Sequence, residues 1–196
     1  MLAAARDLLA SAAGYPAFTV DAVAKKADVA RATVYYQFGS KTGLLDALCD
    51  DLAEAGQMSG LAAAFADPDP REALRGFVAV FGRFWEADRP VMRRLRALAA
   101  LDPEVGEVIA ARDDRRREGL RVLTRRLAGA DLAPATGDGE PDVRALLALT
   151  SFETFDVLAG PGRPLTDVAG QIAGLAEAAL RLRTGPSSPR GRGEPH

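Results

Sequence analysis

The sequence predicts an all-α fold of about nine helices. Apolar residues recur three and four apart along almost the whole chain, the period of one buried helix face. Val, Ile and Thr never gather into alternating runs bounded by turns, so no strand is predicted. Gly, Pro, Asp and Ser clusters punctuate the pattern at intervals that leave short connections.

The elements follow in order. Leu2, Ala5, Leu8, Leu9 and Ala12 mark one face of a first helix, which Gly14, Tyr15 and Pro16 end. Thr19 reads as the N-cap of VDAVAKKA, because its hydroxyl can accept from an otherwise unpaired N–H. Asp28 and Val29 form a short turn before ARATVYYQF, a helix of barely two turns that Gly39 and Ser40 break. Ser40 then caps KTGLLDALCDDLAEA, with Leu44, Leu45 and Leu48 on its buried face. GQMSG reads as loose, and ADPDP as a break whose Pro70 opens the next helix at its first turn. In REALRGFVAVFGRFWEA, Leu74, Phe77, Val78, Phe81, Phe84 and Trp85 stand at helical spacing. Pro90 and Pro103 start further helices over 90–101 and 103–128, and GADLAPATGDGEP (129–141) is a loop. Helices over 142–159 and 164–183 follow, separated by GPGRP, and the tail TGPSSPRGRGEPH has the composition of disorder. Composition and spacing together divide the chain into a small head (1–48), a larger helical body (49–183) and a disordered tail (184–196).

Composition narrows the chemistry. A chain of 196 residues, 48% hydrophobic, can bury one ordinary core. Net charge is −2 with a pI near 5.5, so nucleic-acid contact must come from a local patch and not from a global positive field. Cys49 is the sole cysteine and His196 the sole histidine. Disulfides, thiolate clusters, His-ligated metals and a Ser–His–Asp triad are therefore not expected, and neither is an enzymatic activity or a cofactor. Arg6 and Asp7 interrupt the apolar start, which argues against a signal peptide. No apolar run approaches the roughly 18 residues of a membrane span, so the expected location is cytoplasmic.

The stretch 19–41 carries the chemistry. It reads as helix, tight turn, helix, then a capped further helix, with Val20, Val23, Ala24, Ala27, Val29, Val34 and Phe38 as buried candidates. Small Ala24 and Ala27 let two helices cross closely, as a helix-turn-helix needs if its second helix is to enter a major groove about 12 Å wide. Val34 and Phe38 point one way. Ala32, Thr33, Tyr36 and Gln37 point the other, with Arg31 and Tyr35 at the flanks. That face offers a guanidinium, a hydroxyl, two phenols and an amide, all partners for base edges or phosphates. Two tyrosines on a short helix, taken alone, more often mean core packing.

Over about 30 residues, TVDAVAKKADVARATVYYQFGSKTGLLDAL resembles the DNA-binding head of the TetR family of transcriptional regulators. Thr19, Val23, Ala24, Ala27, Val29, Thr33, Val34, Tyr35, Phe38, Ser40, Lys41, Leu44 and Leu45 carry the likeness. The resemblance implies that Arg31, Ala32, Thr33, Tyr35, Tyr36 and Gln37 lie in or against the major groove. It also implies that Thr19, Lys41 and, more weakly, Lys26 meet phosphates. Three departures stand out. Asp28 occupies a turn position where the family often has glycine. Gln37 stands where histidine is common. The basic stretch usual before the first helix is missing, which implies either low affinity or a start further upstream; the second is the favoured reading.

In that family the body binds a small ligand and dimerises. The resemblance implies an apolar or amphipathic pocket from Phe77, Phe81, Phe84, Trp85, Met92, Leu95, Phe152 and Phe155. Glu153 and Asp156 are candidate polar fixing points for it, with at least one of them expected to be exposed. Read without it, the same residues are an ordinary aromatic core. Gly170 and Gly174 suggest a close helix–helix approach, since two glycines weaken a helix by about 1 kcal/mol each relative to alanine. With Leu146, Leu147, Thr150, Thr154, Val168, Ile172 and Leu175 they outline a homodimer interface. RDDRRREGLRVLTRR (112–126) holds seven arginines among carboxylates and reads as a solvated helix face. The expected function is a homodimeric repressor that binds a pseudo-palindromic double-stranded DNA operator and is released by a small molecule. The alternative is a helical small-molecule carrier or enzyme with no DNA-dependent role.

Overall fold

A computed structural model describes residues 1–11, 18–130 and 139–181. These contain eleven α-helices, two short 3-10 turns and no strand. The helices are α1 (Leu2–Ala10), α2 (Val20–Lys26), α3 (Arg31–Phe38), α4 (Lys41–Ala55), α5 (Leu61–Ala66), α6 (Pro70–Ala87), α7 (Arg89–Ala99), α8 (Pro103–Gly129), α9 (Glu140–Leu149), α10 (Phe152–Ala159) and α11 (Ala169–Arg181).

The all-α class holds, and the count of about nine is corrected to eleven. LAAAFA, between the loose GQMSG and the ADPDP break, forms α5. The single helix expected over 142–159 is two, α9 and α10, divided at Thr150–Ser151. No Gly or Pro marks that break. Instead Ser151 Oγ accepts the Thr154 N–H at 3.2 Å and so begins a new helix. The stop at Gly14–Pro16, most of the loop at 129–141 and the tail lie outside the described residues.

The caps explain where the helices begin. Thr19 Oγ1 accepts from the Ala22 N–H at 3.1 Å, and Ser40 Oγ from the Gly43 N–H at 2.9 Å. Asp69 and Asp102 cap α6 and α8 ahead of Pro70 and Pro103.

One continuous apolar cluster runs from Ala5 in α1 to Leu180 in α11. At its centre α6 buries Ala73, Leu74, Phe77, Val78, Phe81 and Trp85 against α5, α8, α10 and α11. α4 belongs to both ends of the molecule. It packs on α1 and α3 and also on α6 and α8, and residue 48 lies inside it. Among the described residues no helix is long and apolar enough to cross a membrane.

Candidate nucleic-acid interface and body cavity

The α2–α3 turn is built by backbone hydrogen bonds around one left-handed residue. Asp28 has φ 52°, with the Asp28 N–H donating to Lys25 O at 3.3 Å and the Val29 N–H to Ala24 O at 3.0 Å. This pair of hydrogen bonds is the Schellman closure, which satisfies the last carbonyls of α2 and normally selects glycine at the left-handed position. Aspartate is among the few other residues that adopt it at modest cost. The Asp28 departure therefore leaves the turn intact.

α3 is held by little. Val34 is fully buried and Phe38 half-buried, while Arg31, Ala32, Thr33, Tyr35, Tyr36 and Gln37 are all exposed. Tyr36 is 94% exposed, which removes core packing as its role. The C-terminal end of α3 is fixed by close approach to α4: a Cβ on Gly43 would sit 2.0 Å from the Phe38 carbonyl oxygen. The outer face of α3 is thus offered to solvent on a helix anchored from behind.

Each cation the sequence assigned to DNA already has a carboxylate in its own chain. Arg31 Nη1 lies 3.0 Å from Asp21 Oδ2, and its Nη2 donates to Tyr35 Oη at 3.2 Å. Lys26 Nζ is 3.6 Å from Asp7 Oδ2. Lys41 Nζ sits 2.5 Å from Asp102 Oδ2 and 2.9 Å from Glu104 Oε2, at the start of α8. Burial opposes the charge on Lys41, but hydrogen bonds to both carboxylates outweigh it and raise its pKa. Lys41 thus links the head to the body, a role not visible in its sequence neighbourhood.

In the body, Phe77, Phe81, Phe84 and Trp85 form a ladder with successive ring centroids 4.7, 6.2 and 4.6 Å apart. They line a cavity of about 330 Å³ whose other walls come from α4, α5 and α8, with Met58 and, from α7, Arg96 completing the lining. Met92, Leu95 and Phe155, expected in the lining, are buried in the core and do not line it. α7 turns its apolar face to α1 and α8, and Phe155 fills the space that Gly82 leaves on α6. Phe152 stands edge-on to Trp85 at 5.9 Å and does not line the cavity either.

The expected polar fixing points are also placed elsewhere. Glu153 accepts from Arg96 Nε at 2.9 Å, and Asp156 from Arg89 and Arg93 at 2.7 and 2.6 Å. Burial raises the Glu153 pKa, but the Arg96 hydrogen bond outweighs it and leaves the carboxyl below its ordinary value. Such a carboxylate is a weak base.

The polar groups at the cavity come instead from the arginine run. Arg116 is buried at 5% exposure, which corrects the solvated-face expectation for this residue. Its Nη1 donates to the Thr150 carbonyl at 2.7 Å and its Nη2 to Asp113 Oδ1 at 3.1 Å. Its guanidinium carbon lies 5.7 Å from the ring centroids of both Phe81 and Trp85. Burial pulls its pKa down to about 10, which still leaves it charged at neutrality. Arg112 reaches across to α4, pairing with Asp46 at 3.1 Å and Asp50 at 2.7 Å. Arg117, Arg121 and Arg125 do make the local pairs the sequence suggests, with Asp114 and Glu118. Cys49 also lines the cavity, and burial raises its thiol to about 11.

The residues expected at a dimer interface fall into two groups. Leu146, Thr150, Val168 and Ile172 are fully buried within the chain, and Leu147 and Thr154 half-buried. Gly170, Gly174 and Leu175 are exposed, with no atom within 4 Å of a Cβ built on either glycine. Among the described residues neither glycine serves helix packing.

A helix-turn-helix head joined through a shared helix to a helical body with an internal cavity is the architecture of a bacterial transcriptional regulator. Residues 1–48 match the family described as bacterial regulatory proteins, tetR family. PfmR from Thermus thermophilus, a TetR-family transcriptional regulator, is 28% identical, covering 92% of this chain and 96% of its own at a TM-score of 0.66. A TetR-like transcriptional regulator from a Rhodococcus species is also 28% identical, covering 91% and 92% at 0.62. A putative transcriptional regulator from Saccharomonospora viridis, solved in complex with choline, shares the fold at 19% identity, covering 90% and 93% at 0.64. No curated protein matches. Residues 1–48 thus match the TetR-family head, and over about nine-tenths of its length the chain is similar to solved TetR-family regulators.

Proposed function

We propose that this chain is a homodimeric repressor whose two heads read a pseudo-palindromic operator and whose body releases DNA when a small molecule enters the cavity. The exposed face of α3 carries the reading. Six neighbouring side chains able to meet bases or phosphates stand outside the core on a helix held by Val34. Arg31, Ala32, Thr33, Tyr35, Tyr36 and Gln37 meet the groove, and Thr19, Lys26 and Lys41 the phosphates. Two such heads engage half-sites one DNA turn apart, roughly 34–36 Å. The head (1–48) and body (49–183) act as separate modules joined through α4, and the protein works in the cytoplasm.

Dimerisation uses the open stripe of α11 around Gly170, Gly174 and Leu175, with Val157 of α10 also exposed. The ligand acts through α4, since Cys49 and Leu52 line the cavity while Lys41 and Gly43 meet Asp102 and α3. Its effect is limited to its differential affinity for the two head spacings.

The test is binding of the purified chain to DNA upstream of its own and adjacent genes. Sequence-selective, salt-sensitive binding by a particle with the mass of two chains is expected. Binding with no selectivity, or a monomer on a single half-site, refutes the reading.

A further inference from the structure

We propose that the body cavity is a receptor site for an amphipathic anion, a carboxylate or similarly small anionic head on an apolar body, with Arg116 as its head-group ligand. This rests on the reading of the body as the effector-binding part.

Shape and charge carry the argument. The aromatic ladder of α6 with Leu52, Phe65 and Ile109 makes an apolar sheath. At about 330 Å³ it stands at the small end of the ~300–1,000 Å³ usual for ligand pockets, so the apolar body is a medium-length chain or a small ring system. Four arginines line it, Arg96, Arg112, Arg115 and Arg116, against two carboxylates, Asp50 and Asp113. Two further carboxylates, Asp46 and Glu153, pair with Arg112 and Arg96 from outside the lining. Asp50, Asp46 and Glu153 have side chains 70%, 50% and 53% exposed, so water screens them. Arg116 is the most buried of the cations, and its one carboxylate partner among the described residues, Asp113, is shared with Arg96 at 2.8 Å. Its Nε has no hydrogen-bond partner among the described residues. A buried charge with an unmet donor is costly unless an anion completes it.

The same geometry disfavours a cationic ligand. A quaternary ammonium would seek the faces of Trp85 and Phe81. The Arg116 guanidinium already stands over both, at 5.7 Å, and would repel it.

Trp85 lies in the cavity wall and is the only tryptophan in the chain, so its fluorescence reports occupancy. The full chain is titrated, without DNA, with decanoate, decanol and decyltrimethylammonium. The expected result is saturable binding of decanoate, one per chain and at least about tenfold tighter than decanol, with the ammonium weakest. Arg116→Met should erase the preference for decanoate over decanol while decanol binding persists. Because Arg116 also holds the Thr150 carbonyl, Arg116→Lys is measured beside it. Lysine keeps the charge and should retain most of the preference. Ala53→Phe, which fills the cavity from α4, should abolish binding of all three. Ammonium binding tighter than decanoate, an unchanged preference in Arg116→Met, or no binding of decanoate overturns the proposal. Selective DNA binding by the same preparation would then still stand, so failure of the ligand class and failure of the regulator reading are separable.

Discussion

Replacing Asp102 with asparagine should tighten DNA binding, although residue 102 lies in the body. Lys41, the phosphate partner implied by the family likeness, is held at 2.5 Å by Asp102 and at 2.9 Å by Glu104. A DNA phosphate must compete with those carboxylates. The Lys41 and Asp102 side chains are 19% and 29% exposed, more sheltered than a typical surface pair. Exposed pairs contribute ~0.2–1 kcal/mol, so this one belongs near the upper end, about 1 kcal/mol, or about fivefold in affinity. Glu104 retains part of the hold, so the expected gain is about two- to fivefold. Asparagine caps a helix as well as aspartate, so the cap on the Glu104 N–H survives and the change isolates the charge. The Lys41 hydrogen bond lowers the Asp102 pKa, with burial opposing it. The pair therefore contributes above the unfolded carboxylate value of about 3.9 and is lost only as pH falls through the lower folded value. A neutral assay sees it intact. The measurement is fluorescence anisotropy on operator DNA at fixed salt, for Asp102→Asn, Lys41→Ala and the double variant. Lys41→Ala should weaken binding to all sequences alike and flatten the salt slope by up to about one phosphate contact. In its background Asp102→Asn should have no effect. Unchanged or weaker binding by Asp102→Asn, in a protein still fully folded at the assay temperature, would refute competition for Lys41.

Other outcomes follow from the same geometry. Tyr36→Ala should leave urea stability within about 0.5 kcal/mol, because the side chain is 94% exposed, yet change which operator variants bind best in a competition assay. Gly43→Ala places a methyl against the Phe38 carbonyl. It should abolish selective DNA binding while far-UV circular dichroism stays native. Asp156 lies below its ordinary pKa, because hydrogen bonds from Arg93 and Arg89 outweigh the opposing effect of burial. Its contribution to stability is present above about pH 3.9 and lost as pH falls through the lower folded value. Thermal midpoints of Asp156→Asn should accordingly fall less steeply below about pH 4 than those of the parent chain.

The parts legible in the sequence were those fixed by neighbours a few residues away. Thr19 and Ser40 were readable as caps because a cap needs only a side-chain oxygen three residues ahead of its N–H. The outward face of α3 followed from the four-residue spacing of Val34 and Phe38. The break at Thr150–Ser151 was hidden, because Ser151 ends one helix and starts another with no Gly or Pro to announce it. The arginine run was half legible. Arg117 and Arg121 have partners three residues away, whereas Arg112 meets Asp46 and Asp50, and Arg116 meets Thr150. Those partners lie 34 to 66 residues away, and local charge alternation carries no information about them. The same blindness put Met92, Leu95 and Phe155 in the cavity, since helical spacing tells that a residue is buried but not against what.

Long-range pairs of this kind give α4 its place between the two sites. Its N-terminal turn holds Lys41 against the start of α8 and Gly43 against the end of α3. Some twelve residues on, about 18 Å along the axis, Leu52 and Ala53 form part of the cavity wall. Arg112 ties the middle of α4 to α8 through Asp46 and Asp50, and α8 also supplies Arg116. α4 therefore meets α8 at two polar points, one beside the head and one beside the cavity. A molecule that pushes Leu52 or draws on the arginines bears on the same helix pair that positions Lys41. Coupling of this kind is reciprocal. Whatever factor an occupied cavity takes from DNA affinity, saturating DNA must take from the affinity that Trp85 reports, and a factor of one in both directions would mean that α4 does not couple the two sites.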